Sequence, residues 1–274
     1  MAERVRPVRV AIQLHPQHGA YADLRRAVER VEELRADLLY TWDHFFPLYG
    51  SRDGAHFECW TLLAAWAEQT ETVELGPLVT CASYRNADLL ADMARTLDHV
   101  SSGRFVLGLG SGWFERDYDE YGFRYGSARE RAGVLADTLR RIRRRWGLLN
   151  PPPRRRIPIV VGGVGERFTL RVAAEHADVW HAMFPSHPGE LEPKVEALER
   201  WCLEVGRDAS AIERAVGVEP NDLERFLARD AQRYLELGFT QFTLGVNGPG
   251  WELGPEVAEW LAWRASARRE PVST

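Results

Sequence analysis

The chain has 274 residues, of which 45% are hydrophobic and 27% charged, with 35 basic side chains against 40 acidic ones and a formal charge of −5. This balance is typical of a globular protein and excludes a disordered or fibrous chain. It also argues against a dedicated nucleic-acid binder, which needs a concentrated basic surface to neutralise phosphates. Any anionic ligand must therefore be held locally.

The three cysteines, Cys59, Cys81 and Cys202, are too few and too scattered for a disulfide framework or a structural zinc site. The opening residues contain no apolar secretory segment, and no run of about eighteen apolar residues occurs in the sequence. We therefore expect a reduced, cytoplasmic protein without a membrane span. Lys194, the only lysine, lies in a polar helical run, which argues against Schiff-base chemistry.

Short runs rich in Val, Ile and Leu alternate with longer amphipathic runs, a pattern that predicts βα units and a parallel sheet. Eight such units follow one another along the chain. The predicted strands cover residues 8–14, 37–42, 73–80, 104–110, 157–162, 177–183, 212–218 and 240–246. The clearest helix follows the third strand and stops before Gly103; its apolar stripe comprises Leu90, Met93, Ala94 and Leu97.

Eight strands with eight crossovers predict an α/β protein, a single (β/α)8 TIM barrel that occupies residues 1–274 as one domain. A doubly wound open sheet is the alternative. The run NPPPRRRIP at 150–158 resembles a linker, but a three-proline run is also a stiff connection into a strand, which is the interpretation we prefer.

Polar residues follow the second predicted strand directly, at Asp43 and His44. In a TIM barrel the active site lies at the carboxyl ends of the strands, so these two side chains are candidate catalytic residues. A histidine there can donate to a carbonyl-type oxygen or a ring nitrogen, and the neighbouring carboxylate can fix its tautomer. The alternative is a pair that ties the loop together.

Glycines recur through the end of the fourth strand, at Gly108, Gly110 and Gly112, and Trp113 follows them. Glycine inside a buried strand is usually retained where another backbone or a flat ligand comes close. Trp113 is a candidate for lining a planar ligand. The acidic residues that come next, Glu115, Asp117 and Asp119, are interpreted as a solvated loop, one of which could act as an acid.

A second glycine cluster, at Gly162, Gly163 and Gly165, joins the fifth strand to a helix. Free N–H groups at the start of such a helix, together with the helix dipole, can hold a phosphate without lysine. A tight βα turn is the alternative. No metal site is predicted, because His15 and His18 are three residues apart with Pro16 between them, whereas a barrel hydrolase needs two alternating histidines on one strand.

The segment GPLVTCASYRNADLLADMARTLDHVSSGRFVLGLGSGWFERDYDEYGF closely resembles the segment that marks the bacterial luciferase-like flavin and deazaflavin-dependent oxidoreductases. TWDHFFP, IPIVVGGVGERFTLRVAAEHADVW and RYLELGFTQFTLGVNGP match in the expected order, so the resemblance covers essentially the whole chain. It implies a TIM-type barrel that binds FMN or the deazaflavin coenzyme F420 at its carboxyl-end mouth. The Asp-His pair at the end of the second strand resembles the F420 members.

The resemblance also implies residue roles. In the F420 members the histidine approaches the deazaflavin ring, which assigns His44, with Asp43 as the residue that orients it. A bulge behind the ring falls on Val79 and Thr80. The end of the third strand, including Cys81, and the glycines and tryptophan after the fourth strand would wall the pocket. The phosphate would be held by Gly162, Gly163 and Gly165.

Two departures limit this match. Sugar-phosphate dehydrogenases of the family have a glutamate after the fourth strand and a tryptophan beyond the Asp-His pair, where this chain has Trp113 and Leu48. The resemblance therefore argues against a glucose-6-phosphate dehydrogenase. It implies an F420-dependent hydride-transfer enzyme acting on a small organic substrate, or alternatively an FMN-dependent monooxygenase; a noncatalytic flavin-binding protein is a further alternative. A homodimer and a partner reductase that regenerates reduced cofactor are also expected.

Overall fold

A computed structural model describes residues 6–267, and within that range nine parallel strands form one sheet. The strands are β1 (Arg9–Leu14), β2 (Leu38–Thr41), β3 (Glu74–Pro77), β4 (Thr80–Cys81), β5 (Leu107–Gly110), β6 (Ile159–Gly162), β7 (Val179–His181), β8 (Glu213–Val218) and β9 (Phe239–Val246). Their order is β3-β2-β1-β9-β8-β7-β6-β5-β4. A bridge between Leu75 of β3 and Phe105, which precedes β5, brings these two parts of the sheet together, so the sheet is a nearly closed barrel.

The predicted TIM barrel is confirmed, with one difference in the third strand. The predicted strand at 73–80 is divided into β3 and β4, and the Leu78–Val79 peptide bond between them is cis. β3 pairs with β2, and β4 pairs with β5, so the two pieces together hold the third position in the barrel. The doubly wound open sheet is excluded because β1 pairs with β9 and the sheet closes on itself.

The helices connect the strands along the outside of the barrel. They are α1 (Tyr21–Glu33), α2 (Cys59–Gln69), α3 (Ala87–Val100), α4 (Glu115–Tyr121), α5 (Ala128–Trp146), α6 (Thr169–His176), α7 (Glu192–Glu204), α8 (Leu223–Arg225), α9 (Ala231–Glu236) and α10 (Pro255–Ala267), with a π-helical turn between α8 and α9. Among the helices within residues 6–267, none has both the length and the apolar character that crossing a membrane requires.

The helix α3 shows how the sequence specifies these elements. Leu90, Ala94 and Leu97 are buried on its inner face, as their spacing predicts. The side chain of Asn86 caps the first turn by accepting from the backbone N–H groups of Asp88 and Leu89. Both features agree with the predicted helix.

The core has two layers, one on each side of the sheet. Small and branched side chains and one tyrosine fill the inside of the barrel: Ala11, Leu38, Tyr40, Leu78, Val106, Val160, Val179 and Ala215. A larger cluster lies between the sheet and the helices. Because the barrel interior is packed, a ligand can enter only at the loops above the carboxyl ends of the strands.

The proline-rich run at 150–158 is attached to α3. The carboxylate of Asp98 accepts a hydrogen bond from the backbone N–H of Arg154 at 2.6 Å, and Nε2 of His99 contacts the carbonyl oxygen of Pro152 at 2.8 Å. The run therefore leads into β6 as a fixed connection.

Candidate active site

A cavity of about 590 Å³ lies at the carboxyl-end mouth of the barrel, the place predicted for the active site. Its volume is in the range of pockets that hold cofactors and small molecules. Ten of the predicted site residues line it: Asp43, His44, Val79, Cys81, Gly110, Gly112, Trp113, Gly162, Gly163 and Gly165. The one predicted residue outside the lining is Thr80, whose hydroxyl accepts a hydrogen bond from Nε1 of Trp60 at 2.9 Å. The side chain of Thr80 therefore contacts α2 instead of the cavity.

His44 is the imidazole at the centre of one cavity wall. Its Nδ1 donates to Oδ2 of Asp117 at 2.7 Å, and the Asp117 carboxylate also accepts from the backbone N–H of Phe45 at 3.1 Å and from the hydroxyl of Tyr84 at 3.0 Å. The Asp117 side chain is fully buried, while 14% of the His44 side chain stays exposed. Asp117 therefore fixes the ring and its tautomer, and Nε2 is the nitrogen left for a ligand.

The interpretation of Asp117 as part of a solvated loop is wrong. Residues 115–121 form helix α4, and its inner face carries Asp117 together with Tyr118, both buried. The sequence held a signal for this arrangement, because Phe114, Asp117, Tyr118 and Tyr121 follow the i, i+3, i+4, i+7 spacing of one helix face. A carboxylate on an otherwise aromatic face needs buried partners, which His44 and Tyr84 provide.

Asp43 does not orient His44, which corrects the predicted pairing. Its two carboxylate oxygens accept from the Arg85 guanidinium at 2.5 and 3.0 Å, and Arg85 also contacts Glu58 at 2.8 Å. Burial raises the pKa of the Asp43 carboxyl, and the charge of Arg85 opposes that rise. Asp43 thus ties the loop after β2 to Arg85, in the segment that precedes α3. It also lines the cavity.

The floor of the cavity is formed by Val79, at the break in the third strand. A Cβ atom added to Gly110 would lie 2.6 Å from Cγ2 of Val79, and one added to Gly162 would lie 2.9 Å from Cγ1. These glycines are therefore required by the Val79 side chain, which covers both strands. Gly112, at φ +78°, makes room for Cys81 and Tyr118 in the same way: an added Cβ would lie 2.6 Å from Sγ and 2.0 Å from the phenolic oxygen.

The turn after β6 offers hydrogen-bond donors to the cavity from Val164 onward, because the backbone N–H of Gly163 donates to the carbonyl oxygen of His181 at 3.0 Å. It runs through Gly163, at φ +123°, and Gly165 to Thr169, the first residue of α6. Within the described part of the chain no side chain caps this helix start, and Thr169 lines the cavity. Arg131 lines the cavity nearby, with its Nε donating to the carbonyl oxygen of Gly112 at 3.1 Å. Backbone N–H groups, a hydroxyl and a guanidinium suit a phosphate.

A second polar cluster lies on the other side of Trp42 and was not predicted as a site. His15 stacks on Trp42 with ring centroids 4.1 Å apart, and its Nδ1 lies 2.5 Å from the Tyr49 hydroxyl and 2.6 Å from Oδ1 of Asn247. Burial lowers the pKa of His15 to about 4, so the ring is neutral near pH 7. The described residues contain no cluster of ligands that could hold a metal ion.

Trp113 lies at the open side of the cavity, as its position after the glycines suggested. Its side chain is 60% exposed, and its ring centroid is 5.7 Å from that of His44. The cavity wall continues from His44 to Trp42, whose ring centroids are 6.0 Å apart. An exposed indole beside a row of rings is suited to a flat ligand.

These features fit a flavin or deazaflavin cofactor. Val79 offers an apolar floor, Nε2 of His44 offers a polar contact at the ring edge, and the turn at 163–165 with Thr169 offers donors for a phosphate. The two ends of such a ligand would thus meet chemically different sides of one cavity.

A family model described as luciferase-like monooxygenase matches residues 5–221. Together with the barrel and the site at its mouth, this match shows that the chain belongs to the luciferase-like monooxygenase family.

Similar proteins include one described as an F420-dependent dehydrogenase and one described as a ketoreductase. The F420-dependent glucose-6-phosphate dehydrogenase of Amycolatopsis mediterranei (strain U-32) is 32% identical over 127 residues, 45% of this chain and 37% of the relative. The phthiodiolone/phenolphthiodiolone dimycocerosates ketoreductase of Mycobacterium kansasii is 30% identical over 221 residues, 72% of this chain and 58% of the relative. The chain thus spans less than two thirds of either relative.

A solved structure of an F420-dependent secondary alcohol dehydrogenase, in complex with an F420-acetone adduct, superimposes with a TM-score of 0.82 at 16% identity. The match covers 97% of this chain and 100% of that one. At this identity the likeness shows the shared fold.

Proposed function

We propose that this protein is an oxidoreductase that uses coenzyme F420 to exchange a hydride with a small organic substrate. The observation that carries the proposal is the buried Asp117 carboxylate behind His44, which leaves Nε2 free of protein partners among the described residues and next to the cavity. The F420-dependent relatives support the choice of cofactor. When bound, the deazaflavin supplies the hydride chemistry, and the protein supplies binding, orientation and proton transfer.

Different residues of the chain would then bind the cofactor, transfer the proton and exclude water. The turn at 163–165 and Thr169 would bind the phosphate, and Val79 would support the ring from below. Nε2 of His44 would exchange a proton with the substrate oxygen, because the buried carboxylate of Asp117 stabilises the imidazolium that forms. Trp42 and Trp113 would keep water from the reacting face.

The test is a titration of one preparation with F420, FMN and FAD, followed by fluorescence. We expect F420 to bind at least about tenfold more tightly than FMN. The variant His44→Ala should still bind F420, with at most about fivefold lower affinity from the lost ring-edge contact, and should lose turnover, whereas His99→Ala, at the far end of α3, should keep both. Tight FMN binding without F420 binding would overturn the proposal, as would unchanged turnover in His44→Ala.

The competing candidate is an FMN-dependent monooxygenase, which the description of the matching family favours. It predicts oxygen uptake with reduced FMN and the need for a flavin reductase as partner. An oxygen electrode with chemically reduced FMN therefore separates the two candidates. In either case a partner enzyme that renews the cofactor is part of the proposal, as are a homodimer, which sedimentation equilibrium would detect, and a cytoplasmic location.

A further inference from the structure

One carboxylate in the described lining of the cavity has no partner, and it belongs to Glu219. This residue follows β8 directly, is exposed, and lines the cavity. No ion pair or hydrogen bond within residues 6–267 involves its side chain; partial burial raises the pKa of its carboxyl, and the charge of Asp222 raises it further. The other carboxylate of the lining, Asp43, is paired with Arg85. Glu219 is therefore the acidic group that a ligand can meet.

Aromatic rings lie next to this carboxylate. The ring of Phe184 covers Gly217, since a Cβ atom added there would lie 2.4 Å from Cδ1 of the ring. The backbone is still extended at Glu219, two residues further on, so its side chain points to the same face as position 217. The phenol of Tyr49 is also near, because the charge of Glu219 adds to burial in raising its pKa. The ring of Trp42 follows, with its centroid 5.9 Å from that of Tyr49.

The cationic side chain of the lining lies elsewhere. Arg131 is the one arginine or lysine in the described lining, and it donates to the carbonyl oxygens of Gly112 at 3.1 Å and Gly126 at 2.8 Å, after β5. Burial lowers the pKa of His15 to about 4, so this ring carries no charge near pH 7. The described lining therefore offers Glu219 no arginine or lysine on its own side of the cavity.

This arrangement discriminates between ligands by their charge. An anionic group beside Glu219 would be repelled by the carboxylate. A neutral apolar group would remove water from the carboxylate without replacing its hydrogen bonds, which costs free energy. A positively charged organic group would pair with the carboxylate, and its alkyl surface would contact the faces of the rings, which attract cations. Of the three kinds of ligand, the cation fits both the charge and the rings.

We propose that the cavity recognises its substrate by an alkylammonium group, which is held between the carboxylate of Glu219 and the rings of Tyr49 and Phe184. Trp42 would continue this surface toward His44, whose ring centroid is 6.0 Å from its own. The inference rests on the proposed function, which places the cofactor phosphate at the turn after β6, and it deepens that function by naming the substrate class. The ammonium group serves for recognition, and the carbon that exchanges the hydride is a separate part of the substrate.

The test compares choline with 3,3-dimethylbutan-1-ol, which has the same shape and hydroxyl group but a neutral carbon in place of the charged nitrogen. Affinities are measured by ligand-observed NMR with the protein alone and with the protein bound to reduced F420, which accepts no hydride. We expect choline to bind about fivefold more tightly. A cavity without a cation site would favour the neutral alcohol, because the cation loses more hydration. Added salt should weaken the binding of choline and leave that of the alcohol unchanged.

Two variants assign the preference to its residues. Glu219→Gln keeps the size of the side chain and removes its charge, so the ratio of affinities should fall to about one or below, while F420 affinity stays within about twofold of the wild type. Phe184→Leu should weaken choline binding more than alcohol binding, because an aliphatic side chain does not attract a cation. The control is Glu224→Gln, since Glu224 is an exposed glutamate in α8 outside the cavity lining. It should keep the fivefold ratio.

Three outcomes would overturn the inference: equal or tighter binding of the alcohol in the wild type, a ratio that survives in Glu219→Gln, or binding of neither probe. The proposed function is judged separately. If F420 fails to bind, that function falls, and the comparison of the two probes in the protein alone still decides whether Glu219 recognises an ammonium group.

Discussion

Nδ1 of His44 and Oδ2 of Asp117 lie 2.7 Å apart across 73 residues of sequence. The loop after β2 carries the histidine, and helix α4 after β5 brings the carboxylate beneath it. Because Asp117 also accepts from Phe45 and Tyr84, its position is fixed from three directions. The orientation of the imidazole is therefore a property of the folded barrel mouth.

Replacing Asp117 by Asn should slow turnover by about 100-fold, because the amide cannot stabilise an imidazolium as a carboxylate does. F420 affinity should stay within about twofold of the wild type. The ¹⁵N chemical shifts of His44 measure the cause, since the proton should no longer be held on Nδ1. Asp119→Asn, on the exposed face of α4, is the matched control. Wild-type turnover with unchanged His44 shifts in Asp117→Asn would contradict this role.

Thr169→Val should weaken the binding of F420 and FMN by about fivefold, because it removes one hydroxyl donor at the phosphate. The phosphate-free compound riboflavin should bind the variant and the wild type equally. Thr138→Val serves as control, since Thr138 is buried in α5 but lies outside this cavity. An equal loss of riboflavin and FMN affinity would place the effect somewhere other than the phosphate.

Gly110→Ala should lower the free energy of unfolding by about 2 kcal/mol, because the new methyl group would overlap Cγ2 of Val79. The double variant Gly110→Ala with Val79→Ala should recover most of that loss, which chemical denaturation can measure as a coupling energy. Gly133→Ala, where an added Cβ meets nothing within 4 Å, should be neutral or stabilising. If the two substitutions act additively, contact with Val79 is not the reason that position 110 requires a glycine.

Stability should fall as the pH decreases below about 6.5. Burial lowers the pKa of His181 to about 3 and that of His15 to about 4, both from 6.5. Between the folded-state pKa of each histidine and its ordinary value of 6.5, the unfolded chain therefore binds more protons than the folded one. Across that pH range each histidine lowers the free energy of unfolding by about 1.4 kcal/mol per pH unit. Urea denaturation from pH 7 to pH 4 measures the slope.

The variant His181→Gln isolates one contribution to that slope. His181 is fully buried, with Nδ1 accepting from the backbone N–H of Met183 at 3.0 Å and Nε2 near Oγ1 of Thr243 at 3.2 Å. The variant should be less stable at pH 7, and its unfolding at acid pH should take up about one proton fewer than that of the wild type. A slope equal to that of the wild type would mean that His181 does not stay neutral in the fold.

The predicted strands correspond closely to the observed ones because alternating blocks of branched apolar residues and amphipathic runs encode the βα unit locally. For the same reason the glycine clusters and the Asp-His pair could be placed at the mouth of the barrel. The side chain of Thr80 could not be placed, since the break between β3 and β4 redirects the residues after Val79, and a strand pattern alone contains no sign of that break.

The sequence by itself determined the TIM barrel, and it placed ten of the residues that line the cavity at the barrel mouth, because these depend on periodicity and on the geometry of parallel strands. Only the tertiary structure decided which carboxylate acts on His44. Asp43 is adjacent in sequence, but its carboxylate pairs with Arg85, and Asp117 takes its place. Tyr49 and Asn247 likewise meet His15 only when distant loops pack together. Hydrogen-bond partners at an active site are set by distances in space, which a linear pattern does not contain.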